Sequence, residues 1–349
     1  MPIEAGNRPT NATVVYNRSM NTSPLRGVNL GGWLIVERWM TPSVFKDTDA
    51  IDEYTLSSTT EGRKAIASHH QTFITEDDFK WLHKNGINAV RIPIGYWLFG
   101  NEGKLTPHLA SLDWAMDMAK KYSLQVIIDL HGLKGSQNGY DHSGRIGALD
   151  WFKHASYRTE TLETLEALAR RYAHEPHFWG IQIINEPQAR LFHFKLRSYY
   201  KKAYTLLDGI LQTHTRIIYS DAFTPRLMSR ALGDARRAVM DIHLYHSIQP
   251  INRFISLKKY YDRLRRKEKL FSRLSAFQPV IIGEWSGVFH QKTFDKYPAQ
   301  KHAELIKEHV QRQIEAYQHT AGWFYWNYKT EKPGVWNFRS QVEAGIIEL

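Results

Sequence analysis

Eight short apolar runs recur along this chain, and stretches with helical periodicity separate them. Most of the runs are continuously apolar rather than alternating, which is typical of strands that are covered on both faces. We therefore predict strands at 25–30, 87–94, 125–130, 179–184, 216–220, 238–242, 280–283 and 322–326.

The segments between these runs carry helix signals. Thr75 begins a sequence that resembles a capping box, and Asn85-Gly86 is a suitable end for the short amphipathic helix after it. Leucines at helical spacing predict a helix over 161–172, and similar patterns predict helices over 197–213 and 303–317.

Strands that alternate with helices predict an α/β fold. Eight such strands favour a single (β/α)8 TIM barrel over residues 25–349, with the active site at the C-terminal ends of the strands. A doubly wound open sheet is the alternative. Residues 1–24 are polar and lack periodicity, so we predict a flexible N-terminal arm there.

The composition limits the classes of function. Of 349 residues, 42% are hydrophobic and 23% are charged, as in a typical globular domain, and no run approaches the ~18 apolar residues of a membrane span. The net charge is +11, with dense basic clusters at Lys258-Lys259 and 265–267. We interpret these clusters as a solvated helix face, and we expect no nucleic-acid partner and a monomeric protein.

The chain contains no cysteine, which excludes disulfides, thiolate catalysis and thiolate metal sites. No basic segment followed by an apolar one marks a signal peptide at the start, so we expect such a peptide to be missing or already removed. These features predict either a cytoplasmic protein or a processed secreted form.

Two glutamates follow or end apolar strand-like runs. Glu186 stands in the sequence Asn-Glu-Pro, and Glu284 stands in Glu-Trp-Ser. Glutamate is poorly suited to a buried strand unless it is paired or functional, and barrels place their chemistry at the carboxyl ends of strands. A pair of carboxyl groups is the minimal machinery for hydrolysing a glycosidic bond. The sequence therefore predicts a glycosidase.

Further polar and aromatic residues occupy comparable strand-end positions. Arg91 can lower the pKa of one carboxyl group, and histidines can hydrogen-bond carboxylates or sugar hydroxyls. The complete set around the two glutamates is Arg91, His131, Asn185, His243, Tyr245 and Trp326. No HExxH or comparable spacing of metal ligands occurs, so we expect neither a metal nor a cofactor.

Longer motifs at three of these strand ends narrow the prediction. They are residues 26–34 (RGVNLGGWL) followed by Glu37, residues 129–132 (DLHG) continuing through 135–144 (GSQNGYDHSG), and residues 323–331 (WFYWNYKTE) followed by Trp336 and Phe338. Together they resemble family five of the retaining glycoside hydrolases, in its exo-β-1,3-glucanase-like branch. The resemblance covers about residues 25–347.

This resemblance implies a role for each site residue. Glu186 would be the acid/base and Glu284 the nucleophile, with Arg91, His131, Asn185, His243 and Tyr245 in support. Substrate-binding residues would be Glu37, Tyr140, Asp141 and Trp326. The chain departs from the branch's pattern at Tyr140 (usually Phe), at His142 (usually Asn), and at Arg38-Trp39, which follow Glu37 where Pro is usual.

The expected activity is release of glucose from the non-reducing end of β-1,3-glucan or its oligosaccharides through a covalent glycosyl-enzyme intermediate. Within the same clan the alternatives are an endo-β-glucanase, a β-1,6-glucanase or a transglycosylase. A non-catalytic carbohydrate-binding scaffold is disfavoured, because binding alone does not require both Glu186 and Glu284.

Overall fold

The computed structural model describes residues 24–189, 192–233, 235–245 and 256–349. Eight parallel strands form a closed barrel in which each strand pairs with the next and the eighth pairs with the first. The strands are β1 (Leu25–Asn29), β2 (Ala89–Gly95), β3 (Gln125–Gly132), β4 (Phe178–Gln182), β5 (Arg216–Ser220), β6 (Ala238–Leu244), β7 (Val280–Trp285) and β8 (Gly322–Tyr325). The predicted (β/α)8 fold is confirmed, and the open sheet is excluded.

Helices alternate with the strands. They are α1 (Glu53–Leu56), α2 (Thr60–Thr72), α3 (Glu76–Lys84), α4 (Leu109–Lys121), α5 (Ala155–Tyr172), α6 (His193–Asp208), α7 (Pro225–Met228), α8 (Leu257–Ser275), α9 (Gln291–Phe294), α10 (His302–Tyr317) and α11 (Phe338–Glu343). Short 3-10 turns occur at Pro42–Phe45, Tyr96–Phe99, Asp141–Ser143 and Ala299–Lys301. None of the described helices is long and apolar enough to cross a membrane.

Two predicted helices had wrong boundaries. The helix predicted at 197–213 is α6, which begins earlier and ends at Asp208, because the chain passes into Gly209 as its C-cap. The helix predicted at 161–172 is α5, which begins six residues earlier at Ala155. Its first turn is largely exposed, so no apolar periodicity reveals it. The predicted arm at 1–24 lies, apart from Pro24, outside the described residues.

An apolar layer fills the barrel at the end where the strands begin. Each strand contributes one buried residue to it, and the eight are Leu25, Ala89, Ile127, Trp179, Ile218, Val239, Ile281 and Phe324. Gly27 lies beside Phe324, where a Cβ atom would come within 2.3 Å of the ring. Glycine at this position therefore lets the ring close the layer. The polar residues of the strands therefore lie at the opposite end of the barrel.

Candidate active site

A pocket of about 730 Å³ opens at the carboxyl ends of the strands. Nine of the predicted site residues line it, namely Glu37, His131, Tyr140, Asp141, Glu186, His243, Tyr245, Glu284 and Trp326. The other two, Arg91 and Asn185, are fully buried beneath it. Five lining residues were not predicted to belong to the site, namely Trp39, His142, Gln188, Phe223 and Trp336.

Arg91 is the centre of the buried layer under the pocket. Its Nη1 donates to Glu284 Oε1 at 3.0 Å, and its Nη2 lies 3.0 Å from Asp129 Oδ2. The remaining hydrogen bonds of the guanidinium go to side-chain oxygens of Asn29, Gln182 and Asn185. A buried cation is tolerated when it is paired and its donors are satisfied. Arg91 therefore provides a fixed positive charge beneath Glu284.

Glu284 lies at the carboxyl end of β7 and is held at both oxygens. Oε1 accepts from Arg91, and Oε2 accepts from the Tyr245 hydroxyl at 2.8 Å. Burial raises the pKa of Glu284, and the nearby charge of Glu186 adds to this, although His243, Arg91 and Tyr245 favour the charged form. The net pKa lies above its ordinary value. The two hydrogen bonds fix the direction in which the carboxylate faces the pocket.

Glu186 lies on the loop that leaves β4. Its φ angle of 42° falls in the left-handed region, which non-glycine residues rarely adopt. Oε1 is 2.6 Å from His243 Nδ1, and Oε2 is 3.4 Å from His142 Nε2. Burial would raise the pKa of Glu186, but the hydrogen bond and positive charge of His243, with smaller contributions from His142 and His131, together lower it to about 2.

His243 lies between three carboxyl groups. Besides Glu186, its Nδ1 is 3.5 Å from Glu284 Oε2, and its Nε2 is 3.0 Å from Asp241 Oδ2. Burial would lower the pKa of His243, but Glu284 and Asp241 raise it well above the ordinary value. His243 is therefore a cation that connects the two glutamates of the pocket.

The two glutamates lie close enough for one class of glycosidase chemistry. One carboxylate oxygen of Glu186, one of Glu284 and a ring nitrogen of His243 all lie within 4.8 Å of one another. Carboxyl groups ~5–5.5 Å apart are typical of retaining glycosidases, whereas inverting ones leave ~6.5–9.5 Å for a water molecule. The short separation favours retention.

The same three side chains could offer ligand atoms to a metal ion. However, both Glu284 oxygens and Oε1 of Glu186 already have hydrogen-bonding partners within the protein. The absence of a metal or cofactor stays a prediction.

His131 forms a flat side of the pocket together with Trp326. Its ring stacks on the indole with 5.7 Å between centroids and 11° between planes. Nδ1 is 2.6 Å from Asp129 Oδ2, and Nε2 is 3.3 Å from Asn185 Nδ2. Because burial lowers the pKa of His131 well below its ordinary value, the ring is neutral. A neutral ring that donates through Nδ1 can accept from Asn185 through Nε2.

Glu37 lies in the pocket wall and is only 4% exposed. Its Oε2 accepts a hydrogen bond of 2.8 Å from the Trp39 indole, and burial together with Asp141 raises its pKa well above the ordinary value. Arg38 points elsewhere and donates to the carbonyl of Ala50. Glu37 is therefore available to a ligand rather than paired with its neighbour in sequence.

Aromatic side chains surround the pocket mouth. Trp39 contacts Trp336 edge-on at 5.5 Å, and Tyr140 accepts a hydrogen bond of 3.1 Å from Gln188. Trp39, Tyr140 and Phe223 are each about half exposed. Amphipathic aromatic rings around buried polar groups are suited to sugars, which present apolar ring faces and hydroxyls together.

Comparison with known proteins agrees with this geometry. The cellulase family, glycosyl hydrolase family 5, matches residues 52–332. The chain belongs to glycosyl hydrolase family 5. A probable glucan 1,3-beta-glucosidase A of Aspergillus fumigatus is 31% identical, over 93% of this chain and 87% of that protein. A glucan 1,3-beta-glucosidase of Blumeria graminis is also 31% identical, over 94% and 87%.

Solved structures support the fold. The rutinosidase from Aspergillus niger superimposes with a TM-score of 0.79 at 20% identity, covering 93% of this chain and 97% of that one. The predicted family and barrel are confirmed, and this family 5 protein is a retaining glycoside hydrolase.

Two buried acids beside the site histidines of this family 5 hydrolase were not among the predicted site residues, although Asp129 stands in the motif at 129–132. Asp129 and Asp241 each stand two positions before a site histidine, on β3 and β6, and each contacts that histidine. Residues i and i+2 point to the same face of a strand. The Asp-x-His spacing inside these two apolar runs could therefore have indicated both acids. Trp39 and Trp336 are 297 positions apart, and no local pattern joins them.

Proposed function

We propose that this family 5 hydrolase is an exo-acting β-1,3-glucosidase that releases glucose from the non-reducing end of β-glucans. The observation that carries the proposal is Glu37, a buried carboxyl group in the wall of the pocket that also holds Glu186 and Glu284. The relatives named glucan 1,3-beta-glucosidase cover most of the chain and support the choice of linkage.

In the first step, Glu284 attacks the anomeric carbon while Glu186 protonates the leaving oxygen. Arg91 and Tyr245 hold the Glu284 carboxylate for the attack. The proton for Glu186 is held at the 2.6 Å contact with His243. As the charge of Glu284 is consumed by the new ester bond, the largest influence that keeps this proton on His243 disappears. The proton then favours Glu186.

In the second step, water hydrolyses the glycosyl ester. Glu186 now acts as the base that removes a proton from the water, and the regenerated Glu284 carboxylate restores the charge on His243. Each step inverts the anomeric carbon, because Glu284 and the water attack it from opposite faces. Two inversions therefore give net retention of the anomeric configuration.

Recognition of a chain end requires groups that read terminal hydroxyls. Glu37 and Asp141 both line the pocket, and the charge of Asp141 contributes to the raised pKa of Glu37. Glu37 has a raised pKa and can therefore both donate and accept a hydrogen bond. Trp326 supplies a flat surface beneath the sugar ring.

The decisive experiment is a time course of laminarin digestion. We expect glucose from the earliest time points with almost no intermediate oligosaccharides. Early accumulation of laminaribiose and longer products would favour the endo-acting alternative. Parallel assays on β-1,6-glucan and carboxymethylcellulose test the linkage.

Two variants test the recognition of the terminal glucose. Glu37→Ala and Asp141→Ala should each lower kcat/KM on laminarin about ten- to a hundredfold, because each removes a charge-assisted or buried hydrogen bond to a hydroxyl. The thermal unfolding temperature should stay close to that of the unmodified protein. Unchanged kcat/KM in both variants would remove these residues from the substrate site.

Azide distinguishes the roles of the two glutamates. Glu186→Gln should still form the glycosyl-enzyme from an aryl glucoside with an activated phenol, and azide should convert that intermediate to the β-glycosyl azide. Recovery of the α-azide from this variant, and of the β-azide from a Glu284 variant, would require the two roles to be exchanged.

A further inference from the structure

The positive charge of the chain is concentrated in one sector. Residues 190–275 contain 19 Lys and Arg against 6 Asp and Glu, whereas the rest of the chain contains 27 against 29. The sector includes α6, α7 and α8, which follow β4, β5 and β6 in order around the barrel. The net charge of +11 is therefore a property of one side of the molecule rather than of its whole surface.

Helix α8 carries the densest part of this charge. Lys259, Arg266 and Arg273 are exposed and seven residues apart. Seven residues make about two turns, so the three cations lie on the same side of the helix with about 10.5 Å between successive members. Lys258 and Lys269 are exposed beside them. We name these five residues the basic stripe.

The cations of the basic stripe stand outside the described ion pairs, although Asp262 lies one turn from Lys258, Lys259 and Arg266. Within the described residues, none of its members forms an ion pair with a carboxylate, while the nearby Arg265 pairs with Asp262. The exposed cations of the stripe therefore repel one another along the helix, and an anion would relieve the repulsion.

We propose that the basic stripe binds a linear anionic polysaccharide and holds this hydrolase beside its substrate. Charge complementarity identifies the partner as an anion. The apolar face of α8, with Tyr260, Leu264, Phe271 and Leu274, is buried against the barrel. The stripe itself offers no apolar side chain to enter a bilayer and no aromatic ring on which bases could stack. A hydrophilic polymer with spaced negative charges fits this face best.

The direction of α8 connects the stripe to the active site. Strand β6 ends beside His243 and Tyr245 at the catalytic end, and α8 then returns along the outside of the barrel to the start of β7. Lys258 and Lys259 therefore lie towards the catalytic end of the barrel, and Arg273 lies towards the opposite end. A polymer on the stripe would run beside the pocket without entering it.

A binding assay with polygalacturonate tests the proposal. The probe is immobilised, and binding of the full chain is measured at low and near-physiological salt. The stripe variant carries Lys259→Gln, Arg266→Gln, Lys269→Gln and Arg273→Gln. A matched control carries Lys64→Gln, Lys80→Gln, Lys84→Gln and Lys120→Gln, four exposed lysines on α2, α3 and α4. Both variants lose the same net charge.

We expect the stripe variant to bind about ten- to a hundredfold more weakly and with a shallower salt dependence, whereas the control changes little. Hydrolysis of a small aryl glucoside should be unaffected in both, which verifies that each variant is folded. If both variants bound polygalacturonate equally weakly, the loss of net charge alone would explain the effect, and the proposal would be overturned. Tighter binding of the unmodified protein to RNA or to phosphatidylglycerol vesicles than to polygalacturonate would also overturn it.

Discussion

Strands β3 and β6 carry the same Asp-x-His spacing, yet their histidines have opposite charge states. On β3, Asp129 contacts Nδ1 of a neutral His131, and on β6, Asp241 contacts Nε2 of a cationic His243. The pKa of His131 is well below its ordinary value, and that of His243 is well above it. Two identical local patterns therefore perform different electrostatic tasks in one pocket.

The surroundings explain the difference. Both rings are buried, and burial disfavours their charge. His131 also has His142 and the Arg91 cation nearby, and these lower its pKa further. His243 instead has Glu284 and Asp241 on its two sides. His131 is a neutral hydrogen-bonding ring, whereas His243 is a protonated ring that contacts both glutamates.

The acids of the two pairs differ as well. Burial raises the pKa of Asp129 to about 7, although Arg91 opposes the rise. Burial would also raise the pKa of Asp241, but the charge and hydrogen bond of His243, together with Arg91 and the Gly283 amide, lower it below the ordinary value. The presence of a carboxyl group beside a histidine therefore does not determine whether that histidine is charged. The charges contributed by the other strands determine it.

The largest effect is expected from Glu284→Gln, which removes the main cause of the difference between the histidines. Turnover should fall by about four orders of magnitude or more on every substrate, because the nucleophile is lost. The pKa of His243, followed by NMR of the labelled ring, should fall towards its ordinary value. A His243 that stays protonated to the same pH would refute the electrostatic explanation.

The next prediction compares Asp241 with Asp129. Asp241→Asn should lower kcat/KM about a hundred- to a thousandfold, because His243 loses a charged partner. Asp129→Asn should cost about tenfold or less, because an amide oxygen can still accept from neutral His131. Steady-state kinetics on one aryl glucoside measure both. Equal losses of kcat/KM would show that the Asp-His pairs of β3 and β6 contribute equally to catalysis.

A smaller effect is expected from Tyr245→Phe, which tests the hydrogen bond to Glu284 without changing either histidine. The variant loses the 2.8 Å hydrogen bond to Oε2 but leaves Asp241 and His243 in place. We expect kcat to fall about tenfold. The NMR titration of His243 should change little, since the charge of Glu284 remains. A large fall in the pKa of His243 would show that Tyr245 acts through that histidine.

The smallest effect is the pH dependence of stability, and it should have opposite signs for the two histidines. The lowered pKa of His131 contributes stability above its unfolded value of ~6.5, and this is lost as pH falls. The raised pKa of His243 contributes stability below ~6.5, and this is lost as pH rises through the folded value.

Thermal unfolding of His131→Gln and His243→Gln across pH measures these contributions. His131→Gln should flatten the acid side of the stability profile, and His243→Gln should flatten the alkaline side. A change on the same side in both variants would contradict the assigned charge states.

Sequence reasoning found the strands and most of the polar residues at their ends, because an arginine or glutamate stands out in an apolar run. It missed Asp129 and Asp241, whose roles depend on the histidines two positions later. It named Trp39 and Trp336 in separate motifs but did not predict their contact, which forms only in the folded chain. The start of α5 was misplaced because its first turn carries no apolar period, and the end of α6 was misplaced because the helix stops before Gly209.

The order of strands and helices, and the strand ends at which chemical groups stand, follow from the sequence, because the apolar periodicity that reveals them is a local property of the chain. The distances between Glu186, His243 and Glu284, and the charge of each histidine, depend on the folded barrel. Barrel closure brings residues from β2, β6 and β7 within a few ångströms in a dry interior. Desolvation and Coulomb energies depend on those distances, and the sequence alone does not contain them.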